Sequence, residues 1–173
     1  MAGPFRRHRG DIEMRFDSRE AELVRSLVDD LLHRLGAVDD AEPVEDPVLR
    51  RLFPDGYNDD PKAAAELRSL IQDDLRDGKI ASARVVLETL ADLAAGGRLR
   101  LDDAQSGAWL GTLNDLRLTL GTALGVTEDT DLEPDTDLEP DTEDEAETFA
   151  LSVYHFLGWL QGNLVEALPV QGD

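Results

Sequence analysis

Apolar residues recur at steps of three and four through most of this chain, and that spacing predicts helices. The strongest run is Ala108 to Val126, where Trp109, Leu113, Leu116, Leu120 and Leu124 form one stripe. It predicts a central helix, capped by Asp102, with the other helices packed around it. Leu23, Val24, Leu27, Val28, Leu31, Leu32 and Leu35 make a second stripe. Asp17 opens that helix, Glu20 completes a capping box, and Gly36 is expected to close it in the left-handed conformation. Asp46-Pro47 predicts a short helix, with Val48, Leu49, Leu52 and Phe53 inward and Arg50 and Arg51 outward. Asp60-Pro61 opens another by the same device, running through Ala64, Leu67, Leu70, Ile71 and Leu75 to a stop at Gly78. A further helix is predicted from Lys79 to Ala95, ended by Gly96-Gly97. Phe149, Val153, Phe156, Leu157, Leu160, Leu164 and Leu168 mark the last, with Thr142 and Glu145 as its capping box.

Two stretches depart from helical spacing. Leu99 and Leu101 alternate with Arg98 and Arg100, an extended pattern suited to pairing with an edge strand at Ile12 to Phe16. Asp129-Thr130-Asp131-Leu132-Glu133-Pro134 repeats at once as Asp135 to Pro140, which predicts a solvated acidic loop. The expected fold is therefore mainly α: a single-domain bundle of about six helices with one short two-stranded β pairing. Residues 1–10 read as a frayed basic arm, 11–126 as the helical domain and 127–141 as the acidic loop. Residues 142–173 read as a C-terminal helix on the same domain, with a short tail. Gly111 and Gly121 each cost the central helix about 1 kcal/mol relative to alanine. They predict close approach of another backbone.

Charge sharpens the picture. The formal net charge is -21. Of the 38 acidic residues, 14 follow Arg117, the last base; the other 24 face all 17 bases. A chain this acidic does not attract nucleic acid nonspecifically, because phosphate binding needs clustered Lys and Arg. It suits solubility first, or a partner with a basic groove. Cysteine is absent, which excludes disulfides, thiolate metal sites and a cysteine nucleophile. No stretch approaches the ~20 apolar residues that span a bilayer. Arg6-Arg7 is not followed by an apolar run, so no signal peptide is read and a cytoplasmic protein is expected.

The candidate chemistry is sparse. A calcium loop needs glycine at its sixth position and glutamate at its twelfth. From Asp129 those positions hold Pro134 and Pro140, and from Asp131 they hold Thr136 and Thr142. His8, His33 and His155 have no metal-ligand spacing. Asp59, Asp60 and Glu66 could support acid–base chemistry, but no nucleophile accompanies them, and Asp60 is better read as a helix cap. No catalytic, cofactor or metal site is therefore predicted. The remaining candidates are polar residues for a partner contact or a buried network. Asn114, Asp115 and Arg117 interrupt the central stripe, and Arg50, Arg51, Tyr57 and Arg68 could meet them.

Asp46 to Leu70, DPVLRRLFPDGYNDDPKAAAELRSL, and Ala108 to Val126, AWLGTLNDLRLTLGTALGV, resemble the signature blocks of an actinobacterial family of uncharacterised proteins. Some of its members carry the name AosR, for oxidative-stress transcriptional regulator. Phe156 to Leu168, FLGWLQGNLVEAL, is similar to that family's C-terminal block. The resemblance implies a non-enzymatic regulator that meets RNA polymerase or a sigma factor, with any contact to DNA indirect. Two other readings remain. A direct DNA binder would use Asp60 to Leu75 and Lys79 to Ala95 as a helix pair. A small metal-dependent or acid–base enzyme would use Asp59, Asp60 and Glu66. Without thiols, a role in oxidative stress requires a partner to do the sensing. Deleting Glu128 to Pro140 is expected to leave the thermal unfolding midpoint nearly unchanged; a large drop would show that the repeat belongs to the packed fold.

Overall fold

A computed structural model describes residues 3–37, 46–53, 61–93, 95–126 and 142–169, and only the backbone of 61–71 and 142–144. In chain order its elements are β1 (Arg6–His8), β2 (Asp11–Phe16), α1 (Ser18–Gly36), α2 (Pro47–Leu52), α3 (Pro61–Leu90), a 3-10 turn (Ala91–Leu93), β3 (Gly97–Leu101), α4 (Asp103–Ala123) and α5 (Thr142–Ala167). The fold is mainly α, as the periodicity predicts.

Capping chemistry sets where the helices begin. Asp17 accepts from the backbone N–H of Arg19 and Glu20, while Glu20 accepts from the Asp17 N–H, so both halves of the capping box form. Those N–H groups, Glu20's foremost, hold the Asp17 carboxyl below its ordinary range. Asp102 and Gln105 repeat the device at α4. Asp46 caps α2 ahead of Pro47.

Among the described residues five helices form rather than about six. The two expected on either side of Gly78 are the single helix α3, and no turn separates them. Glycine ends a helix by adopting the left-handed conformation, and Gly78 keeps a right-handed φ. Ala83, Val86 and Leu90 bury the second half of α3, so packing outweighs the local cost of the glycine. Gly36 departs from expectation in the same way. It lies inside α1, and Ala37 caps the helix with φ -89°.

The sheet has three strands in the order β1-β2-β3, all antiparallel. Ile12 to Phe16 is thus its centre and not its edge. Residues expected to fray form β1 instead. Arg9 and Gly10 carry φ of 54° and 101°, and the two-residue turn they make requires positive φ at both positions. Ile12 lies opposite Leu101 and Met14 opposite Leu99, all four buried. On the outer face Glu13 accepts from Arg100 Nε at 3.0 Å and Arg98 Nη1 at 3.1 Å. The Arg100 hydrogen bond is the main reason its carboxyl sits below the usual range.

α4 holds the centre, as expected, and packs against α1, α2, α3, α5 and the sheet. Trp109 is fully buried. Its ring centroid lies 6.4 Å from that of Phe5 and 5.9 Å from that of Phe16, and its indole N–H donates to Thr89 Oγ1 at 2.9 Å. The two α4 glycines differ. A Cβ on Gly111 would meet open space, whereas one on Gly121 would lie 3.1 Å from the Tyr154 ring of α5. Gly121 therefore admits a side chain and not a second backbone.

Gly96 joins the helical layer to the sheet. Its φ is 77°, and a Cβ there would stand 3.0–3.2 Å from the backbone of Phe16, Asp17 and Ser18. Gly96→Ala should therefore destabilise the fold by more than about 1 kcal/mol. Gly78→Ala, mid-helix and facing open space, should stabilise it by roughly 1 kcal/mol. Urea unfolding of both variants against the parent chain checks the pair.

Candidate functional site

The polar residues that interrupt the α4 stripe face three ways. Asn114 is exposed, Asp115 is buried and Arg117 is half-buried. Among the described residues, Asp115 pairs with Lys79 and not with Arg50 or Arg51. Lys79 of α3 donates to Asp115 Oδ1 at 2.6 Å, and its ammonium lies 6.0 Å from the Phe53 ring centroid. Burial pushes the Asp115 carboxyl up, while the Lys79 hydrogen bond and charge pull it down; burial prevails. The continuity of α3 through Gly78 is what brings Lys79 to this position.

Arg117 turns toward α5. Its Nη1 donates to Gln161 Oε1 at 2.6 Å and its Nη2 to the Tyr154 hydroxyl at 3.4 Å. The guanidinium carbon stands 5.2 Å from the Tyr154 ring centroid, a cation–π contact. Its Nε is buried with no hydrogen-bond partner among the described residues. Gly158 lies under the guanidinium, where a Cβ would make ordinary van der Waals contact 3.6 Å from Nε. Beside it opens a cleft of about 210 Å³, walled by Arg51 of α2, Arg117 and Thr122 of α4, and Tyr154 of α5. Two guanidiniums and a phenol suit binding of a carboxylate or similar anion.

Of the sequence candidates, the structure thus brings Arg51 and Arg117 to one cleft and sets Asp115 apart from it. Arg50 is exposed on the last turn of α2. Tyr57, Asp59, Asp60 and the side chains of Glu66 and Arg68 lie outside the described residues. Lys79, Tyr154 and Gln161 complete the two polar pairings and were not singled out in the sequence. Tyr154, Gly158 and Gln161 at steps of four and three do mark a polar strip on α5. Among the described residues, no group of three or more His, Cys, Asp or Glu could hold a metal ion. No described helix is long and apolar enough to cross a membrane.

The family model for the domain of unknown function DUF2017 matches residues 2–168. The chain belongs to this family. Relatives of this DUF2017 member include proteins named oxidative stress regulator AosR. Those of Mycobacterium bovis and Mycobacterium tuberculosis are 42% identical to it over 94 residues, which cover 47% of this chain and 42% of theirs. A Mycobacterium leprae protein bearing the same AosR designation is 41% identical over 99 residues, covering 50% of this chain and 45% of its own. The match spans less than half the length of these relatives. No solved structure matches the chain.

The Asp115–Lys79 pair makes stability depend on pH in a defined direction. The folded-state pKa of Asp115 is raised, so its contribution is fully present below the ordinary carboxylate range and is lost as pH rises through the raised value. Lys79→Met removes both influences that pull that value down. The variant should match the parent near pH 3 and lose roughly 1–3 kcal/mol near pH 7, where an unpaired buried carboxylate must ionise. Urea unfolding at the two pH values measures the difference. An equal loss at both would assign the Lys79 effect to packing of its aliphatic stem.

Proposed function

We propose that this protein is a non-enzymatic regulator of transcription in the stress response, acting by contact with another protein. RNA polymerase or a sigma factor is the partner class. The observation that carries the reading is 41–42% identity to proteins named oxidative stress regulators. The α2–α4–α5 cleft supports it, because Arg51, Arg117 and Tyr154 offer hydrogen-bond donors to an acidic group of a partner. With no cysteine in the chain, the regulator would pass on a signal that another protein senses. The cytoplasm is where such a contact would be made. The direct DNA reading loses its structural basis: the helix pair it needs is one continuous helix, α3, and the chain carries a net charge of -21.

Fluorescence anisotropy of the labelled protein tests the proposal in parallel titrations at about 150 mM salt, where the screening length is ~8 Å. RNA polymerase holoenzyme should bind and promoter duplex alone should not. Arg51→Ala combined with Arg117→Ala should weaken holoenzyme binding about tenfold, equivalent to ~1.4 kcal/mol, with the circular dichroism spectrum retained. Binding to bare duplex that falls steeply with salt would replace this reading with direct DNA recognition. Binding to neither would end it.

A further inference from the structure

α5 carries a second stripe, separate from the one it buries. Val153, Leu157, Leu160 and Leu164 point into the core. Glu145, Phe149, Ser152, Phe156, Trp159, Asn163 and Glu166 follow one another at steps of 4, 3, 4, 3, 4 and 3. That spacing averages 3.5 residues, the repeat of a seam that packs against another helix. Its centre is aromatic: Phe149 is 63% exposed, Trp159 is 39% exposed, and half-buried Phe156, which also packs against the edge of the core, stacks on Trp159 with ring centroids 6.4 Å apart. Both ends are acidic and exposed, and α5 contains no lysine or arginine. α5 packs principally on α4, which leaves this face without a described neighbour of comparable extent.

Charge decides what can cover the seam. In a second copy laid parallel, Glu145 would face Glu145 and Glu166 would face Glu166. In one laid antiparallel, Glu145 would face Glu166. Either arrangement opposes like charges, on a chain that already carries -21. We propose that this face docks an amphipathic helix of a different protein, with apolar residues at the centre of its seam and Lys or Arg at both ends. Glu145 and Glu166 are three heptads apart, about 31 Å along the axis. The bases of the partner helix should therefore also be three heptads apart, bracketing an apolar stretch of about 15 Å opposite Phe149 to Trp159. This names a surface and a partner chemistry for the protein contact proposed above, and in that sense it rests on that reading.

The probe is a synthetic helical peptide with leucines along its seam and lysines at the two end positions, titrated calorimetrically into the full chain. A second peptide has glutamates at those ends, and a third keeps the lysines but has serines in place of the leucines. The parent protein should prefer the lysine-ended leucine peptide over both others by about tenfold or more, equivalent to ~1.4 kcal/mol. Glu145→Lys with Glu166→Lys, both exposed changes, should reverse the preference between lysine and glutamate ends. Phe149→Ser should weaken the lysine-ended peptide without altering the thermal midpoint. Equal affinity for the serine peptide would reduce the effect to general attraction by an acidic protein and overturn the proposal. So would failure of the charge reversal, or a stable dimer in sedimentation that Phe149→Ser dissolves. The peptides contain no transcription component. Peptide selectivity without holoenzyme binding would keep the surface and discard the regulator; holoenzyme binding without peptide selectivity would do the opposite.

Discussion

Burying one indole organises this fold. Trp109 is the largest side chain sealed from solvent, and a buried indole needs an acceptor for its N–H. Thr89 supplies that acceptor from α3, Phe5 and Phe16 supply ring contacts from the sheet side, and α4 supplies the tryptophan itself. Three parts of the chain, the β1–β2 hairpin with the residue before it, α3 and α4, thus converge on one ring. The rest of the core, Ile12, Leu99, Leu101, Val86, Leu90 and Leu113, fills the space this convergence encloses.

The hydrophobic pattern and the caps made most elements legible. The α1 capping box, the Asp102 cap of α4 and the proline at the start of α2 follow from residues close together in the chain, while the alternation of Leu99 and Leu101 with arginines marks the distant strand that pairs with Ile12 to Phe16. The errors share a cause. Gly36 and Gly78 look like stops locally, but a stop depends on whether the following residues gain more by packing as helix, which is a tertiary matter. β1 went unread because three basic residues do not show an apolar face, although the turn chemistry of Arg9-Gly10 was there to see. At the candidate site, the interruption of the stripe by Asn114, Asp115 and Arg117 was plain. Its pairings were not, because Lys79 lies 36 residues from Asp115 and Gln161 lies 44 from Arg117. Periodicity along one helix says nothing about which distant side chain will complete it.

The distribution of charge gives the molecule two unlike faces for recognition. The last base in the chain, Arg117, is held against α5 by a phenol and an amide, not by a carboxylate. It lies beside Arg51 at the cleft, in a protein where anions are otherwise in excess. On another flank of α5 the surface is aromatic and bounded by acids. α5 is thus amphipathic more than once around its circumference: one strip enters the core, one holds a guanidinium and one faces outward.

The central strand pairing also bears on how the chain is made. β2 must meet β3, and Glu13 and Arg98, which join across that pairing, are 85 residues apart. During synthesis α1 can coil as soon as it emerges from the ribosome. The strand just before it then waits, its inward Ile12, Met14 and Phe16 uncovered, until more than half of the protein has been translated. Nascent chains stalled before Leu101 should be the ones that need a chaperone.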